Sequence, residues 1–278
     1  MTFGREIGEA ESHQVLDHAF EHSICFFDTA SAYGGGSSEQ FIGRWIASRK
    51  PDERNLTVAT KLLPPYDSSR INEVVQQSLE NLGLPAIDLL YLHNWDNSAL
   101  APGTLEALSI LVDSGSVRAL GVSNFNQEQL GAALSFQKEN GLARFSALQN
   151  NFNYAVRDVD AEYRSFCARE EIAVVTYSPL GAGFLTGKHK RRVEVGSRFD
   201  IVPGHQDVYF HDECWERLGR LESLAQKSGI PQTKLALAWA MHTEGVDSVL
   251  VGGRTTQQID QSLAAYAFDD FDLLAQLD

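Results

Sequence analysis

Four side chains in the first third of the 278-residue chain could together move a proton: Asp28, Tyr33, Lys61 and His93. Tyrosine is a poor acid, with an ordinary pKa near 10. A nearby lysine ammonium favours the phenolate and lowers that value. Making the phenol ten times more acidic requires about 1.4 kcal/mol, which a single charge at contact distance supplies. A carboxylate beside the lysine would hold it in place and charged. A histidine beside the tyrosine would donate a hydrogen bond to a substrate oxygen. The set reads as a proton donor aimed at a carbonyl. Lys61 by itself also admits a Schiff-base lyase or aldolase reading. A carboxylate that keeps it charged argues against that.

These residues must be positioned by elements, and the sequence supplies a regular series of them. Near-continuous apolar runs occur at Ile24–Phe27, Leu56–Ala59, Ile87–Leu92, Val117–Val122, Phe145–Leu148, Ile172–Thr176 and Val246–Val251. Such runs fit strands buried on both faces. Amphipathic segments lie between them. Ile71, Val74, Val75, Leu79 and Leu82 share one helical face, as do Leu105, Leu108, Leu111 and Val112. The β-α-β-α order implies parallel strands with right-handed crossovers. Six runs end in or just before a polar residue: Asp28, Lys61, His93, Asn124, Gln149 and Tyr177. Their spacing approximates one βα unit of about 30 residues. Tandem units without a composition break favour a (β/α)8 barrel over a doubly wound sheet, as one domain across 1–278. In a barrel the carboxyl ends of the strands share the ligand face.

Composition narrows the field. Apolar residues make up 43% and charged residues 22%, an ordinary globular balance. The formal charge of −14 repels a phosphate backbone and argues against nucleic-acid binding. No run of 18 apolar residues occurs, and the amino terminus has no signal-like apolar core. Cys25, Cys167 and Cys214 are far apart and odd in number, which fits a reducing, cytoplasmic setting. Cys25 falls in a strand run and reads as core. No G-x-G-x-x-G follows a strand, so a Rossmann domain is not indicated.

Taken in order, the motifs FFDTASAYGGGSSEQFIG, ATK at 59–61, DLLYLHNWD at 88–96, GVSNF at 121–125, LQNNFNY at 148–154, YSPLGAGFLTGK at 177–188 and VGGRTTQQIDQS at 251–262 resemble the aldo-keto reductase superfamily. The resemblance covers nearly the whole chain. It implies a (β/α)8 barrel and NADPH-dependent reduction of an aldehyde or ketone. It places the catalytic tetrad on Asp28, Tyr33, Lys61 and His93, with Tyr33 the general acid. By the same resemblance Ser123, Asn124 and Gln149 hold the nicotinamide carboxamide and Tyr177 stacks on its ring. Ser178, Leu180 and Gly181 wrap the pyrophosphate. Gly253, Arg254, Thr255 and Gln258 form the adenosine-phosphate site. A guanidinium fork at Arg254 favours NADP over NAD. Trp95, two residues after His93, is expected to line the substrate pocket. Some relatives in the superfamily are accessory subunits of channels, so a non-catalytic NADPH-binding subunit or an inactive truncated member is the competing reading. The implied partner is a small carbonyl compound, acted on by a monomer or small homo-oligomer.

Two departures stand out. Ser262 occupies a position where the family usually has Asn. The initial strand is also expected to be largely missing, with Met1–Gly4 resembling its tail, leaving unpaired edges at the runs near Ile24 and Val249. Other signals are weaker. GAGFLTGK has Ala182 where a phosphate-binding P-loop needs its first Gly and is followed by His189 where the loop needs Ser or Thr. GGG at 34–36 reads as a flexible turn. His205, Asp207, His211, Asp212 and Glu213 fit no compact metal signature and read as a solvated loop. His13, His22, His189 and His242 are expected to be exposed, Trp239 buried. HKRR at 189–192 reads as a solvated run, with phosphate attraction as the alternative.

Overall fold

The computed structural model describes residues 2–51, 55–189, 192–193 and 195–278. The chain forms two compact units. One comprises Met1–Gln149, Arg169–Ala173 and Gly252–Ile259; the other comprises Asn150–Ala168, Val174–Val251 and Asp260–Asp278.

The elements alternate as the periodicity demands: α1 (Glu9–Glu21), β1 (Phe26–Asp28), α2 (Ser37–Arg49), β2 (Thr57–Leu62), α3 (Ser68–Leu82), β3 (Ile87–Leu92), α4 (Pro102–Asp113), β4 (Val117–Ser123), α5 (Gln127–Glu139) and β5 (Phe145–Asn151). There follow α6 (Ala161–Arg169), β6 (Ala173–Tyr177), α7 (Arg198–Ile201), α8 (Gly204–Tyr209), α9 (Asp212–Ser228), α10 (Gln232–Met241), β7 (Ser248–Val249), α11 (Thr256–Tyr266) and α12 (Phe271–Leu274). The strands run in chain order, β1 to β7. Neighbouring strands pair in parallel at β1–β2, β2–β3, β3–β4, β4–β5 and β6–β7. This is the α/β class of (β/α)8 barrels, with one strand fewer than eight among the described residues.

In the first unit the helices start where the side chains direct them. Asp67 caps α3 by accepting from the Ser69 amide, and Asn126 with Gln129 forms a capping box on α5. The apolar face of α3 buries Ile71, Val75, Leu79 and Leu82. The strands are buried along most of their length, with Val58, Ala59, Leu90, Leu92, Leu120 and Val122 almost fully excluded from solvent. A register shift between Leu120 and Gly121 sets Gly121 opposite Ala147 and Ser123 opposite Gln149.

Several expectations are corrected. β1 starts at Phe26, so Cys25 precedes the strand and is exposed rather than core. β7 spans two residues where six were expected. Ladder bonding nevertheless runs further, from Asp247 N donating to the Val174 carbonyl to Leu250 N donating to that of Thr176. His22 is exposed, but His13 and His242 are half-buried and His189 is buried. Each has an aromatic or carbonyl partner in reach: His13 the Phe41 carbonyl, His242 the Tyr266 carbonyl, His189 the Phe199 ring. Thr2–Ile7 folds as a hydrogen-bonded turn with a single Phe3–Ile7 bridge. Of the basic run, Lys190 and Arg191 lie outside the described residues. Trp239 is buried, as expected.

Candidate active site

The four proton-handling residues come from three successive strand ends. β1 ends on Asp28, which pairs with Ala59, and Lys61 lies two residues further along β2 on the same face. Its side chain reaches back, placing Nζ 2.5 Å from Asp28 Oδ2 and 2.8 Å from the Thr29 carbonyl. Lys61 is 1% exposed, so the carboxylate is the partner that makes burial of the charge tolerable. Burial pushes the ammonium below the usual lysine range, and Asp28 opposes that shift.

Tyr33 opens a short 3-10 turn, Tyr33–Gly36, in which three glycines take positive φ before α2 begins. That turn brings the phenol ring back over the strand ends. Lys61 Nζ lies 5.1 Å from its centroid. The His93 ring meets it edge-on, with centroids 5.6 Å apart. His93 follows β3, its amide donating to the Leu62 carbonyl at 2.9 Å. Burial and the Lys61 charge hold the imidazole neutral, pushed down to about 4, with Asp28 opposing. His93 Nδ1 is buried and has no hydrogen-bond partner among the described residues.

The amide-bearing residues gather at the same strand ends. Gln149 Nε2 donates to Asp28 Oδ1 at 2.8 Å. Asn124 adopts φ 59°, and its backbone amide donates to the Gln149 carbonyl at 3.1 Å. Its side-chain nitrogen donates to the His93 carbonyl at 2.8 Å and lies 3.2 Å from Ser123 Oγ. Trp95 is half-buried, its ring edge-on to Phe125 at 5.1 Å. One residue of the site, Tyr66, carries no sequence signal. Its hydroxyl donates to the Asn94 carbonyl and accepts from the Asn94 amide, which braces the loop after His93. Burial pushes that phenol up to about 12. No periodicity marks such a residue, because it sits in a loop.

Gly253, Arg254 and Thr255 precede α11, and Gln258 lies in its first turn. Arg254 N donates to Gln258 Oε1 at 2.7 Å, and Gln258 N donates to the Thr255 carbonyl at 3.1 Å. Gly253 is buried where a Cβ would lie 3.1 Å from the Thr255 carbonyl. Arg254 is exposed, with Nε 3.9 Å from Glu6 Oε2. A helix N-terminus with an adjoining guanidinium suits an anion.

In the second unit Tyr177 ends β6, and burial raises its pKa. Ser178 takes φ 57°, and its carbonyl accepts from the Gly181 amide at 2.8 Å. The Leu180 carbonyl accepts from Gly183 at 3.0 Å, closing the turn. Gly181 has φ 58°, and a Cβ there would meet the Tyr209 ring at 2.9 Å, so the turn needs glycine. Ser262 is buried within α11.

The sequence matches the model of the Aldo/keto reductase family over residues 1–273. The chain belongs to the aldo/keto reductase family. As an aldo/keto reductase it is an oxidoreductase of the carbonyl/alcohol couple. It is 29% identical to norsolorinic acid reductase B of Aspergillus parasiticus, over 97% of this chain and 80% of that protein. It is 28% identical to an aldo-keto reductase of Pseudocercospora fijiensis, over 90% of each. It is also 26% identical to a probable voltage-gated potassium channel subunit beta of Arabidopsis thaliana, over 95% of this chain and 84% of that protein. Among the described residues no helix is long and apolar enough to cross a membrane.

Proposed function

We propose that this aldo/keto reductase uses NADPH to reduce an aldehyde or ketone to an alcohol, with Tyr33 as the proton donor. The observation that carries the reading is the convergence of Tyr33, Lys61, Asp28 and His93 within one cluster. Tyr33 hands its proton to the carbonyl oxygen. The Lys61 charge, 5.1 Å from the phenol ring, favours the tyrosinate left behind. Asp28 keeps Lys61 in place. Neutral His93 has one ring N–H to donate, which orients the carbonyl oxygen toward Tyr33.

The residues present suit a nicotinamide dinucleotide. Hydroxyl and amide groups of Ser123, Asn124 and Gln149 cluster beside the tetrad and match a carboxamide in donor and acceptor character. Arg254, Thr255 and Gln258 at the start of α11, with Gly253, suit an adenosine phosphate; in the second unit the family resemblance assigns Tyr177 to a nicotinamide ring and Ser178, Leu180 and Gly181 to a pyrophosphate. When bound, the dihydronicotinamide supplies a hydride to the carbonyl carbon. Arg254 favours the 2′-phosphate of NADPH. Trp95 lines the substrate side, and the chain acts as one barrel domain.

Calorimetric titration with NADPH and NADH, followed by a panel of aldehydes and ketones, tests the reading. NADPH-selective binding with turnover supports it. No binding of either nucleotide sinks it. The similarity to a potassium-channel subunit beta favours one second reading, an accessory subunit. Tight NADPH binding without turnover across the panel would select that one.

A further inference from the structure

The second unit contains a cavity of about 570 Å³, within the size range of small-molecule sites. None of the residues assigned to the tetrad or to the dinucleotide lines it. Its wall comes from the segment after β5, the start of α6, the end of α10 and α12. Behind that wall the Phe152 and Trp239 rings stack, with centroids 5.3 Å apart and planes 20° apart. Each ring carries a guanidinium: Arg157 Cζ lies 4.8 Å from the Trp239 centroid, and Arg164 Cζ lies 5.4 Å from that of Phe152. Stacking on rigid, buried rings fixes where the two charges point.

The two arginines are provided for unequally. Arg164 is anchored: Nε donates to the Glu244 carbonyl at 2.7 Å and one terminal nitrogen to that of Val159 at 2.6 Å. Its other terminal nitrogen has no acceptor among the described residues. The Arg157 side chain is only 33% exposed, yet its five N–H groups make no hydrogen bond among the described residues. The nearest carboxylate oxygen, Asp278 Oδ1, is 4.0 Å away, beyond hydrogen-bond range, and accepts instead from Trp239 Nε1 at 3.0 Å. A half-buried charge without an acceptor is costly unless something supplies one. Burial pushes both guanidinium groups below the ordinary arginine range, and repulsion among the arginines adds to this at Arg157, with Asp278 opposing.

Acidic residues line the cavity too, but they are its exposed members. Asp160 and Glu244 are exposed, and the Asp278 side chain is 68% exposed. Asp160 is moreover engaged as an acceptor of the Tyr163 amide at 2.8 Å. The cations thus sit deeper than the anions, and the recess favours a negative group. Phe271, the first residue of α12, adds an exposed aromatic ring to the same cavity. We propose that this cavity is a binding site for an aromatic carboxylate, with the carboxylate on the terminal nitrogens of Arg157 and Arg164 and the ring against Phe271. A planar carboxylate matches the fork of Arg157 in a bidentate pair. Asp278 is then the internal competitor for that fork.

Equilibrium dialysis with 2-naphthoate and its uncharged isostere 2-naphthamide tests the proposal. The wild type should bind 2-naphthoate about tenfold or more tightly than the amide, the worth of a charge-assisted pair. Arg157→Met keeps an unbranched apolar side chain on Trp239 and removes the charge. It should weaken 2-naphthoate about tenfold and leave 2-naphthamide within about twofold. Phe271→Ala should weaken both compounds severalfold. Asp278→Asn removes the competitor and should tighten 2-naphthoate about threefold; this exposed change keeps the proposal open to refutation if Arg157→Met does not fold. Equal binding of acid and amide by the wild type overturns the proposal, as does no binding of either at millimolar concentration. An Arg157→Met protein that binds 2-naphthoate as the wild type does places the acid elsewhere and overturns it too. So does an Asp278→Asn protein with unchanged or weaker binding.

Discussion

Lys61 Nζ lies 2.5 Å from Asp28 Oδ2, and the lysine is buried while the carboxylate is nearly so. Neither charge could be retained in this place without the other, because desolvation of a lone ion exceeds what the surrounding dipoles return. On the proposed mechanism the pair links stability to proton transfer. It holds a cation next to Tyr33, 5.1 Å from the ring centroid.

Removing one member of the pair should cost more than removing both. Asp28→Asn leaves a buried ammonium and should destabilise by about 3 kcal/mol. Asp28→Asn combined with Lys61→Met should recover part of that loss. Urea denaturation of the wild type, the two single variants and the double variant reads the coupling. Strict additivity would show that the charges do not interact.

Tyr33→Phe should lower kcat by about 10²-fold or more while leaving the NADPH Kd within about twofold. Steady-state kinetics and calorimetry check the two halves. Loss of cofactor binding in this variant would remove Tyr33 from the proposed role. Lys61→Met should raise the apparent pKa of the acid step, and an unchanged pH profile would count against the tuning argument.

His93 sets a pH dependence with a definite sign. Its pKa is about 4 in the folded chain, against an ordinary value of 6.5. The unfolded chain thus binds the extra proton first as pH falls. This contribution to stability is complete above about pH 6.5 and is lost progressively down to about pH 4. Between pH 7 and 5 the loss should be about 2 kcal/mol. His93→Gln should remove that part of the acid sensitivity. Melting temperatures of both proteins at pH 7 and pH 5 test it; an equal drop in the two would refute it.

Arg254→Ala should weaken NADPH binding about tenfold and leave NADH nearly unchanged, since the guanidinium is assigned to the 2′-phosphate. The ratio of the two Kd values is the readout. A parallel loss for both nucleotides would place Arg254 elsewhere on the ligand.

Gly121→Ala should destabilise by about 1–3 kcal/mol, because the new methyl would lie 2.5 Å from the Tyr91 ring. Pairing it with Tyr91→Leu should relieve much of the cost. Thermal melting of the three variants decides the matter.

The alternation of apolar runs and amphipathic helices is legible in the residues alone, and with it the parallel α/β class. That information is local: period and run length are written residue by residue, as in the buried face of α3. Equally legible is that Asp28, Lys61, His93, Asn124 and Tyr177 lie at or next to strand ends, with Gln149 two residues before the end of β5. Motif order carried the family. Which of these groups touch is settled by packing in three dimensions. That Gln149 bonds to Asp28 depends on a register shift in β4 and β5, and no window of sequence contains both residues. The burial of His189 depends likewise on packing against Phe199. Cys25 is the opposite case: its apolar neighbourhood predicts a strand, but β1 starts one residue later and leaves the thiol exposed. Tyr91 lies inside the apolar run Ile87–Leu92, which the sequence marks only as a buried strand. Its distinction, a phenol directed across Gly121, arises because parallel strands align residues that lie about 30 positions apart in the chain.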